Sequence, residues 1–373
     1  MSMTPPESWL LVQALREPES SLRATPATMG LLLRQARACG LLGRLAHRVG
    51  RAHAAAGRPV LPAAQAHFDA ALRLQRAQEA EILREAGHLR RALATLGAPV
   101  VVLKGAAYVL RGLPAGEGRL FSDIDIMVPK QHLGAAESLL MQHGWLGTHH
   151  NAYDQRYYRE WMHELPPMEH VHRHTVLDVH HTILPETARM HPDAQALFAD
   201  ATALPAHPGL LTLSLPDMVL HSMTHLFMND ELSHALRDLS DIDALLRHAS
   251  GNAGFWDQLA ERARRHQLAR VLHHGLRYAA RVFATPVPAG LVDRLPGAVL
   301  SRPLQSMLDS LWLHAFNPTS PPGGSAASDA AALALFVRGH WLRMPPLLLV
   351  RHLGIKALGL GRTDKTEPAR PGP

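Results

Sequence analysis

Two aspartates separated by one residue, Asp123 and Asp125, lie in the stretch RLFSDIDIMVP, and their carboxylates could hold a metal ion. In a strand, residues two apart point to the same face, so these carboxylates would project side by side. They repel one another, and that raises one pKa unless a cation lies between them. Mg²⁺ would relieve the repulsion, because it prefers carboxylate and phosphate oxygens. The alternative for so short a pattern is a solvent-facing strand edge without a metal.

The residues around this pair favour the metal site. Upstream, VVVLKG predicts a strand that enters a Lys-Gly turn, where a glycine lets backbone N–H groups approach a phosphate. Lys104, one of only four lysines, is either a phosphate contact or a strand-end lysine whose stem covers apolar surface. Downstream, VLDVHH places Asp178 in an apolar strand, where an unpaired buried carboxylate is costly. Three carboxylates on two adjacent strands can hold two metal ions that clamp the oxygens of a phosphoryl or nucleotidyl transfer.

The elements that must position these residues follow from the periodicity of the apolar residues. Residues 8–96 carry apolar residues at three-and-four spacing and predict helices. The stretches APVVVLKG, LFSDIDIMVP and VHRHTVLDVHHTIL predict three strands, and the pattern is helical again from about Leu215 to about Ala280. We therefore predict an α+β protein in which helices flank a small mixed sheet on both sides.

This pattern divides the chain into a helical region at 1–97, a core that carries the chemistry at 98–205 and a second helical region at 206–361. The stretch NPTSPPGGSAASD, residues 317–329, predicts a mobile loop, and residues 362–373 predict a disordered tail.

Composition excludes several classes of protein. Apolar residues make up 47% of the chain, yet no run is long enough for a transmembrane helix. The single cysteine, Cys39, excludes an internal disulfide and cysteine-based zinc clusters. The N-terminus lacks the pattern of a signal peptide, so we expect a cytoplasmic protein.

The net charge of +6 favours anionic partners such as nucleotides or nucleic acid. No G-x-S-x-G, G-x-x-x-x-G-K or G-x-G-x-x-G motif is present.

A second Ser-Asp-Ile-Asp, in LRDLSDIDALLR, lies in a helical pattern. Residues two apart on a helix are separated by roughly 200°, so Asp241 and Asp243 cannot share one metal from this helix. Asp243 and Arg247 are four apart in the favourable order for an ion pair, and Arg237 and Asp241 are four apart in the less favourable order. We predict that these aspartates form ion pairs on the helix surface.

The order LKG, R-x-x-SDID and LDVH resembles the minimal nucleotidyltransferases of the DNA polymerase β superfamily. More narrowly, the chain is similar to the family usually labelled uncharacterised nucleotidyltransferase, found in bacterial biosynthetic clusters. The resemblance covers most of the chain, including HELPPM before LDVHH and the later LHSMTHLF and LRDLSDIDALL. It implies a polymerase β-like fold. Asp123 and Asp125 would bind the metal, and Asp178 would be a third ligand that helps to deprotonate an acceptor hydroxyl.

The resemblance also implies the nucleotide contacts. Lys104 and Gly105 fall on the phosphate-binding turn, and Ser122 and Arg119 would add nucleotide or phosphate contacts. Many members carry Gly-Ser where this chain has Gly105-Ala106, so the serine hydroxyl is absent, or is replaced by Lys104 or backbone N–H groups. Arg119 could instead form a salt bridge at the strand entrance.

Three further positions match residues typical of the narrower family. His180 shares a strand face with Asp178 and could orient it or contact substrate. His225 and Asp241 could contact substrate or hold the C-terminal helices against the core. The run HRHTVLDVHH does not predict zinc, because His174, Asp178 and His180 would lie along one strand, which rarely wraps a metal.

The implied activity is Mg²⁺-dependent transfer of a nucleoside monophosphate from an NTP to an acceptor hydroxyl, with release of pyrophosphate. Two ions are expected, and Mn²⁺ is a possible substitute. The acceptor could be a small molecule, a peptide or RNA. One alternative is a toxin-like nucleotidyltransferase that acts on tRNA, and another is a catalytically inactive binding module of the same fold.

Overall fold

The computed structural model describes residues 6–148, 162–228, 232–291, 295, 297–321 and 323–345. The tail predicted at residues 362–373 lies outside this part of the chain. The helices of the described residues, in chain order, are α1 (Leu10–Arg16), α2 (Pro26–Ala38), α3 (Leu42–Ala55), α4 (Pro62–Ala92), α5 (Lys104–Leu110), α6 (Leu133–Gln142), α7 (Ala194–Ala199), α8 (Leu215–Met228), α9 (Ala235–Ala249), α10 (Phe255–Arg265), α11 (Ala269–Phe283), α12 (Arg302–Ala315) and α13 (Ala326–Arg343). Short 3₁₀ turns occupy Pro18–Arg23, Pro114–Gly116 and Lys130–His132.

Seven strands form one mixed sheet. They are β1 (Val100–Val102), β2 (Ile124–Met127), β3 (Trp145–Gly147), β4 (Met168–His170), β5 (Val176–His180), β6 (Thr202–Ala203) and β7 (Leu210–Thr212). The strand order is β3-β4-β5-β2-β1-β7-β6. β2 runs parallel to β5 and antiparallel to β1, and β1 runs parallel to β7. The chain is therefore an α+β protein, as the sequence predicts. The division into regions at residues 97 and 205 stays a prediction, although β7 lies beyond residue 205.

The β1, β2 and β5 strands are central in the sheet and largely buried. β1 begins after Pro99, and Pro129 follows β2. The third predicted strand is only partly correct, because a strand forms at Val176–His180 and a turn precedes it. His174 lies in that turn with a φ of 56°, so it does not extend the strand that carries Asp178 and His180.

Apolar side chains from Trp9 to Leu335 form one continuous core that joins the helices to the sheet. No helix among the described residues combines the length and apolarity needed to cross a membrane. The predicted mobile loop at 317–329 includes the start of α13, and its mobility stays a prediction.

Two glycines allow α3 to pack against the loop before β2. Gly118 has a φ of 70°, and a Cβ there would overlap the backbone of Gly43 and Arg44. A Cβ on Gly43 would lie 2.5 Å from the Gly118 carbonyl oxygen. The two backbones therefore approach as closely as glycine permits.

We predict that Gly118→Ala destabilises the protein by about 2–4 kcal/mol, because overpacking against backbone adds to the cost of a left-handed residue. Gly57→Ala is the matched control. Gly57 has a φ of 63°, and a Cβ there would have no neighbouring atom within 4 Å, so only the cost of about 1–2 kcal/mol for the left-handed conformation applies. Urea denaturation of both variants measures the difference, and equal losses would contradict tight packing at Gly118.

His274 on α11 is buried against Phe227 and Tyr278, at ring centroid distances of 5.8 Å and 6.1 Å. Burial, followed by the charge of Arg338, lowers the pKa of His274 to about 3. The folded state therefore favours the neutral ring, and stability is lost as the pH falls from about 6.5 towards 3.

Between pH 7 and pH 5, the free energy of unfolding of the native protein should fall by roughly 2 kcal/mol through His274. In His274→Phe, the fall over the same pH range should be smaller by that amount. Urea denaturation at the two pH values measures the change. An equal loss in the variant would show that His274 does not contribute to the acid sensitivity.

Candidate functional site

Three carboxylates meet where β2 lies beside β5. Asp125 of β2 is paired in register with Asp178 of β5, and Asp123 directly precedes β2. Each of the three offers an oxygen, and these oxygens lie within 4.8 Å of one another. The parallel register places Asp125 and Asp178 on one face of the sheet. The structure therefore brings together the three aspartates that the sequence indicated.

These carboxylates differ in their electrostatic environment. Burial, together with the charge of Asp125, raises the pKa of Asp178 to about 7 and also raises the pKa of Asp123. Burial acts in the same direction on Asp125, but Lys104 and His180 outweigh it and hold the pKa of Asp125 well below its usual range. The fold therefore disfavours the charged forms of Asp123 and Asp178 unless a cation binds them.

A divalent cation fits this donor set. Oδ1 of Asp178 is buried, and it has no hydrogen-bond partner in the described parts of the chain. Buried polar atoms usually have such a partner. Carboxylate oxygens are the preferred ligands of Mg²⁺, and Mn²⁺ accepts the same set. Asp123, Asp125 and Asp178 are thus the residues that could hold the metal.

Lys104 supplies a fixed positive charge beside the cluster. Its Nζ donates a hydrogen bond of 2.7 Å to Oδ1 of Asp125. Burial opposes its charge, but Asp125 outweighs burial and raises the pKa of Lys104 above its ordinary value. Lys104 begins α5 with a φ of 45°, a conformation that costs a non-glycine residue energy and often marks a functional site.

Gly105 follows Lys104, and a side chain would not fit there. A Cβ on Gly105 would overlap the guanidinium of Arg119 and would lie 2.6 Å from the ring of Phe121. The next residue, Ala106, is buried. Ser122 is exposed, and its hydroxyl donates 3.0 Å to Oδ1 of Asp123. The Lys-Gly turn is therefore covered by Arg119.

Arg119 forms the salt bridge that was one of its two predicted roles. Its Nε donates 2.7 Å to Oδ2 of Asp241, and its Nη2 lies 3.8 Å from Asp238. The guanidinium also lies over the rings of Phe121 and Tyr108, at 5.4 Å and 5.8 Å from their centroids. It therefore links the turn at Gly105 to helix α9.

The prediction that Asp241 and Asp243 lie on a helix surface is wrong, because both are only 2% exposed. Helix α9 packs against α8, α11 and the turn at Pro114–Gly116, so it is buried on several sides. Asp241 pairs with Arg44 of α3 at 2.7 Å as well as with Arg119. Asp241 therefore joins helices α3 and α9 to the loop before β2.

The individual pairs predicted within α9 have different outcomes. Arg247 pairs with Asp243 at 2.7 Å, which confirms that pair, and the hydroxyl of Thr285 donates 2.6 Å to the same oxygen. Arg237 pairs instead with its neighbour Asp238, at 3.0 Å. The predicted pair between Arg237 and Asp241 does not form, because Asp241 faces Arg44 and Arg119 on the buried side.

His180 lies between two carboxylates. Its Nε2 is 2.9 Å from Oδ1 of Asp125, and its Nδ1 is 3.1 Å from Oε2 of Glu164. Burial lowers the pKa of His180, but Glu164 and Asp125 outweigh burial and raise it. Glu164 belongs to HELPPM, and the sequence pattern assigns it no role. It forms an isolated β-bridge with His180, a pairing that no periodicity in HELPPM could indicate.

His163, Glu164 and His180 form a second group whose possible ligand atoms lie within 4.8 Å of one another. The rings of His163 and His180 have centroids 5.1 Å apart. Burial, followed by the charge of His180, holds the pKa of His163 well below its usual range. Burial and the nearby charge of His180 therefore favour the neutral form of His163.

Two histidines on one face of α8 lie near Lys104. Burial and then the charge of Lys104 hold the pKa values of His221 and His225 well below their usual range. Nδ1 of His225 lies 3.8 Å from Oδ2 of Asp238. The sequence indicated His225 but not His221, which is one helical turn earlier.

The comparison with known families covers this whole arrangement. The model of a family described as "Uncharacterised nucleotidyltransferase" matches residues 25–284, more than half of the chain. The matched range extends from the start of α2 to the end of α11 and includes all three carboxylates. A search of the curated proteins found no match.

Proposed function

Because the chain belongs to the uncharacterised nucleotidyltransferase family, we propose that it transfers a nucleoside monophosphate from an NTP to an acceptor hydroxyl and releases pyrophosphate. The acceptor oxygen forms a bond to the α-phosphorus as the bond to the β-phosphate oxygen breaks. A bacterial biosynthetic pathway is the proposed setting. The register of Asp125 with Asp178, beside Asp123, is the observation that carries the proposal.

Mg²⁺ is the proposed cofactor, with Asp123, Asp125 and Asp178 as its protein ligands and Mn²⁺ as a substitute. Two bound ions would neutralise charge on the attacking and leaving oxygens. Asp178 would accept the proton of the acceptor hydroxyl, a role that its unpartnered buried oxygen supports. His180, held by Glu164, would orient Asp125.

The NTP would bind beside the Lys-Gly turn. Lys104 would contact a phosphate while it remains close to Asp125, and the absence of a side chain at Gly105 would let the Arg119 guanidinium lie against the turn. Ser122 is exposed beside Asp123 and would add a contact. Arg119 would contribute its charge to this turn from its fixed position against Asp241. His225 would hold helix α8 against the core near Lys104.

Label transfer tests this function. The protein is incubated with each α-³²P-labelled NTP, with Mg²⁺ or with EDTA, and with pools of small molecules, peptides or RNA as acceptors. We expect a labelled product that requires Mg²⁺, together with labelled pyrophosphate from the γ-labelled NTP. Labelling of tRNA would favour the toxin-like activity. The absence of both label transfer and Mg²⁺-dependent NTP binding would contradict the enzyme and favour an inactive binding module.

A further inference from the structure

A cavity of about 950 Å³ lies away from the carboxylate cluster, among helices α11, α12 and α13. Its size is within the range of small-molecule sites, about 300–1,000 Å³. One wall is an apolar face of α12 made of Leu304, Met307, Leu308 and Leu311. Met307 is 52% exposed and Trp341, another lining residue, is 45% exposed. The cavity therefore has an apolar wall and is open to solvent.

The charged residues around this cavity all have the same sign. Arg189, Arg264, Arg270 and Arg338 line it, and no described lining residue is an aspartate or glutamate. Arg264 pairs with exposed Glu261 at 2.6 Å. The other three arginines form no ion pair with a carboxylate in the described part of the chain. The cavity therefore combines an apolar wall with positive charge that acidic residues do not neutralise.

The contacts of these arginines leave room for an anion. The guanidinium of Arg189 lies 4.7 Å from the centroid of the Trp341 ring. Nη1 of Arg338 donates 2.9 Å to the carbonyl of Phe227, and burial lowers the pKa of Arg338 to about 10. Arg270 is exposed and makes one long hydrogen bond of 3.4 Å to the carbonyl of Gly297. A ligand anion would satisfy guanidinium donors that the described protein groups leave open.

His274 gives a second, independent indication of a ligand. It lines the cavity and is only 1% exposed. Neither of its ring nitrogens has a hydrogen-bond partner within the described residues. Buried polar groups without partners are rare, so this ring can accept or donate a hydrogen bond to a bound molecule.

We propose that this cavity binds a single-chain amphipathic anion, an alkyl or acyl chain that ends in a phosphate or carboxylate. The chain would lie along the α12 wall, and the head group would lie against Arg270 and Arg338. An inorganic anion would leave the apolar wall uncovered, and a neutral lipid would leave the arginines without an anion. The site shares no residue with the carboxylate cluster, so it does not depend on the proposed function.

Calorimetric titration of the full chain tests this site, with every amphiphile kept below its micelle concentration. Dodecyl phosphate and dodecanoate are the probes, and their relative affinities identify the preferred head group. Dodecanol and inorganic phosphate are the controls for the chain alone and the head group alone. We expect the anionic amphiphiles to bind at least tenfold more tightly than either control, and decyl phosphate to bind about fourfold more weakly for each methylene removed.

Two arginine variants test the assigned positions. Arg338→Gln and Arg270→Gln should each weaken binding of dodecyl phosphate about tenfold or more, because each removes a charged hydrogen-bond donor. Arg302→Gln is the matched control, since Arg302 is exposed on α12 and does not line the cavity. If Arg338→Gln fails to fold, the exposed position of Arg270 keeps the test decisive. Unchanged affinity in Arg270→Gln would overturn the proposal.

Other occupants give distinct results. Equal binding of dodecanol and dodecyl phosphate would show an apolar site without anion recognition and overturn the proposal. Binding by a chain that ends at Pro345, but not by the full chain, would assign the cavity to the protein's own C-terminal residues. Co-sedimentation with anionic vesicles without binding of monomeric amphiphile would assign it to a membrane surface, which also contradicts a small-molecule site.

Discussion

Asp123→Asn is expected to lower nucleotidyl transfer by roughly a thousandfold, while the metal-free protein keeps or gains stability. Burial and the neighbouring charge of Asp125 raise the pKa of Asp123, so its charged form is disfavoured in the fold. Asparagine removes that repulsion and also removes a metal ligand. Loss of activity with retained stability is the combination expected when a group serves function at a cost in stability.

Label transfer and the metal-free Tm measure these two effects in the same preparations. Asp69→Asn is the control, because Asp69 is a partly exposed residue of α4 that accepts a hydrogen bond from Gln65, far from the carboxylate cluster in the chain. Asp125→Asn should lose both activity and stability, since Asp125 pairs with Lys104 and His180. Retained transfer in Asp123→Asn would show that the carboxylate cluster is not the active site.

Asp241→Asn is expected to destabilise the protein by about 3–5 kcal/mol, the usual cost of removing one partner from a buried ion pair. Asp241 lies between Arg44 and Arg119, with a contact of 2.7 Å to each. Arg44 also donates 2.8 Å to Ser240, so it cannot turn towards solvent without breaking further contacts. The substitution would leave two guanidinium groups without their carboxylate at the junction of α3, α9 and the loop before β2.

Urea denaturation measures this loss, with Glu186→Gln as the control. Glu186 pairs with Lys130 at 2.6 Å, but both side chains are more than half exposed. Exposed pairs contribute about 0–1 kcal/mol, so the control should change little. A loss below about 1 kcal/mol in Asp241→Asn would contradict a structural role for the buried pairs. The Arg44→Met variant should show a non-additive effect with Asp241→Asn, because the two residues share one interaction.

The alternation of polar and apolar residues in the sequence predicts the carboxylate cluster. Alternation in SDIDIMV and VLDVHH brings Asp123, Asp125 and Asp178 together, because each stretch contains a strand in which alternate side chains share one face of the sheet. The short strands β3, β4, β6 and β7 contain only two or three residues, which is too few for a period to be visible. Their positions depend on pairing with the central strands.

The surroundings of Asp241 could not be predicted in the same way. An apolar stripe identifies one buried face of a helix, and α9 is also buried on faces that carry charge. The cations that pair with Asp241 come from Arg44 and Arg119, both more than a hundred residues earlier in the chain. Local spacing favoured Arg237, because i,i+4 pairs can be read from sequence and contacts between distant helices cannot. Glu164 was missed for the same reason, since its partner His180 lies on another segment.

Mn²⁺ binding, followed by the electron paramagnetic resonance of the free ion, tests for a metal site at Asp123, Asp125 and Asp178. It reports on the carboxylate cluster without requiring the acceptor to be known. We predict that native protein binds Mn²⁺ in the presence of a non-hydrolysable NTP analogue, that Mg²⁺ displaces it, and that Asp123→Asn and Asp178→Asn lose this binding while Asp69→Asn retains it. Equal Mn²⁺ binding by native protein and both cluster variants would contradict a metal site at Asp123, Asp125 and Asp178.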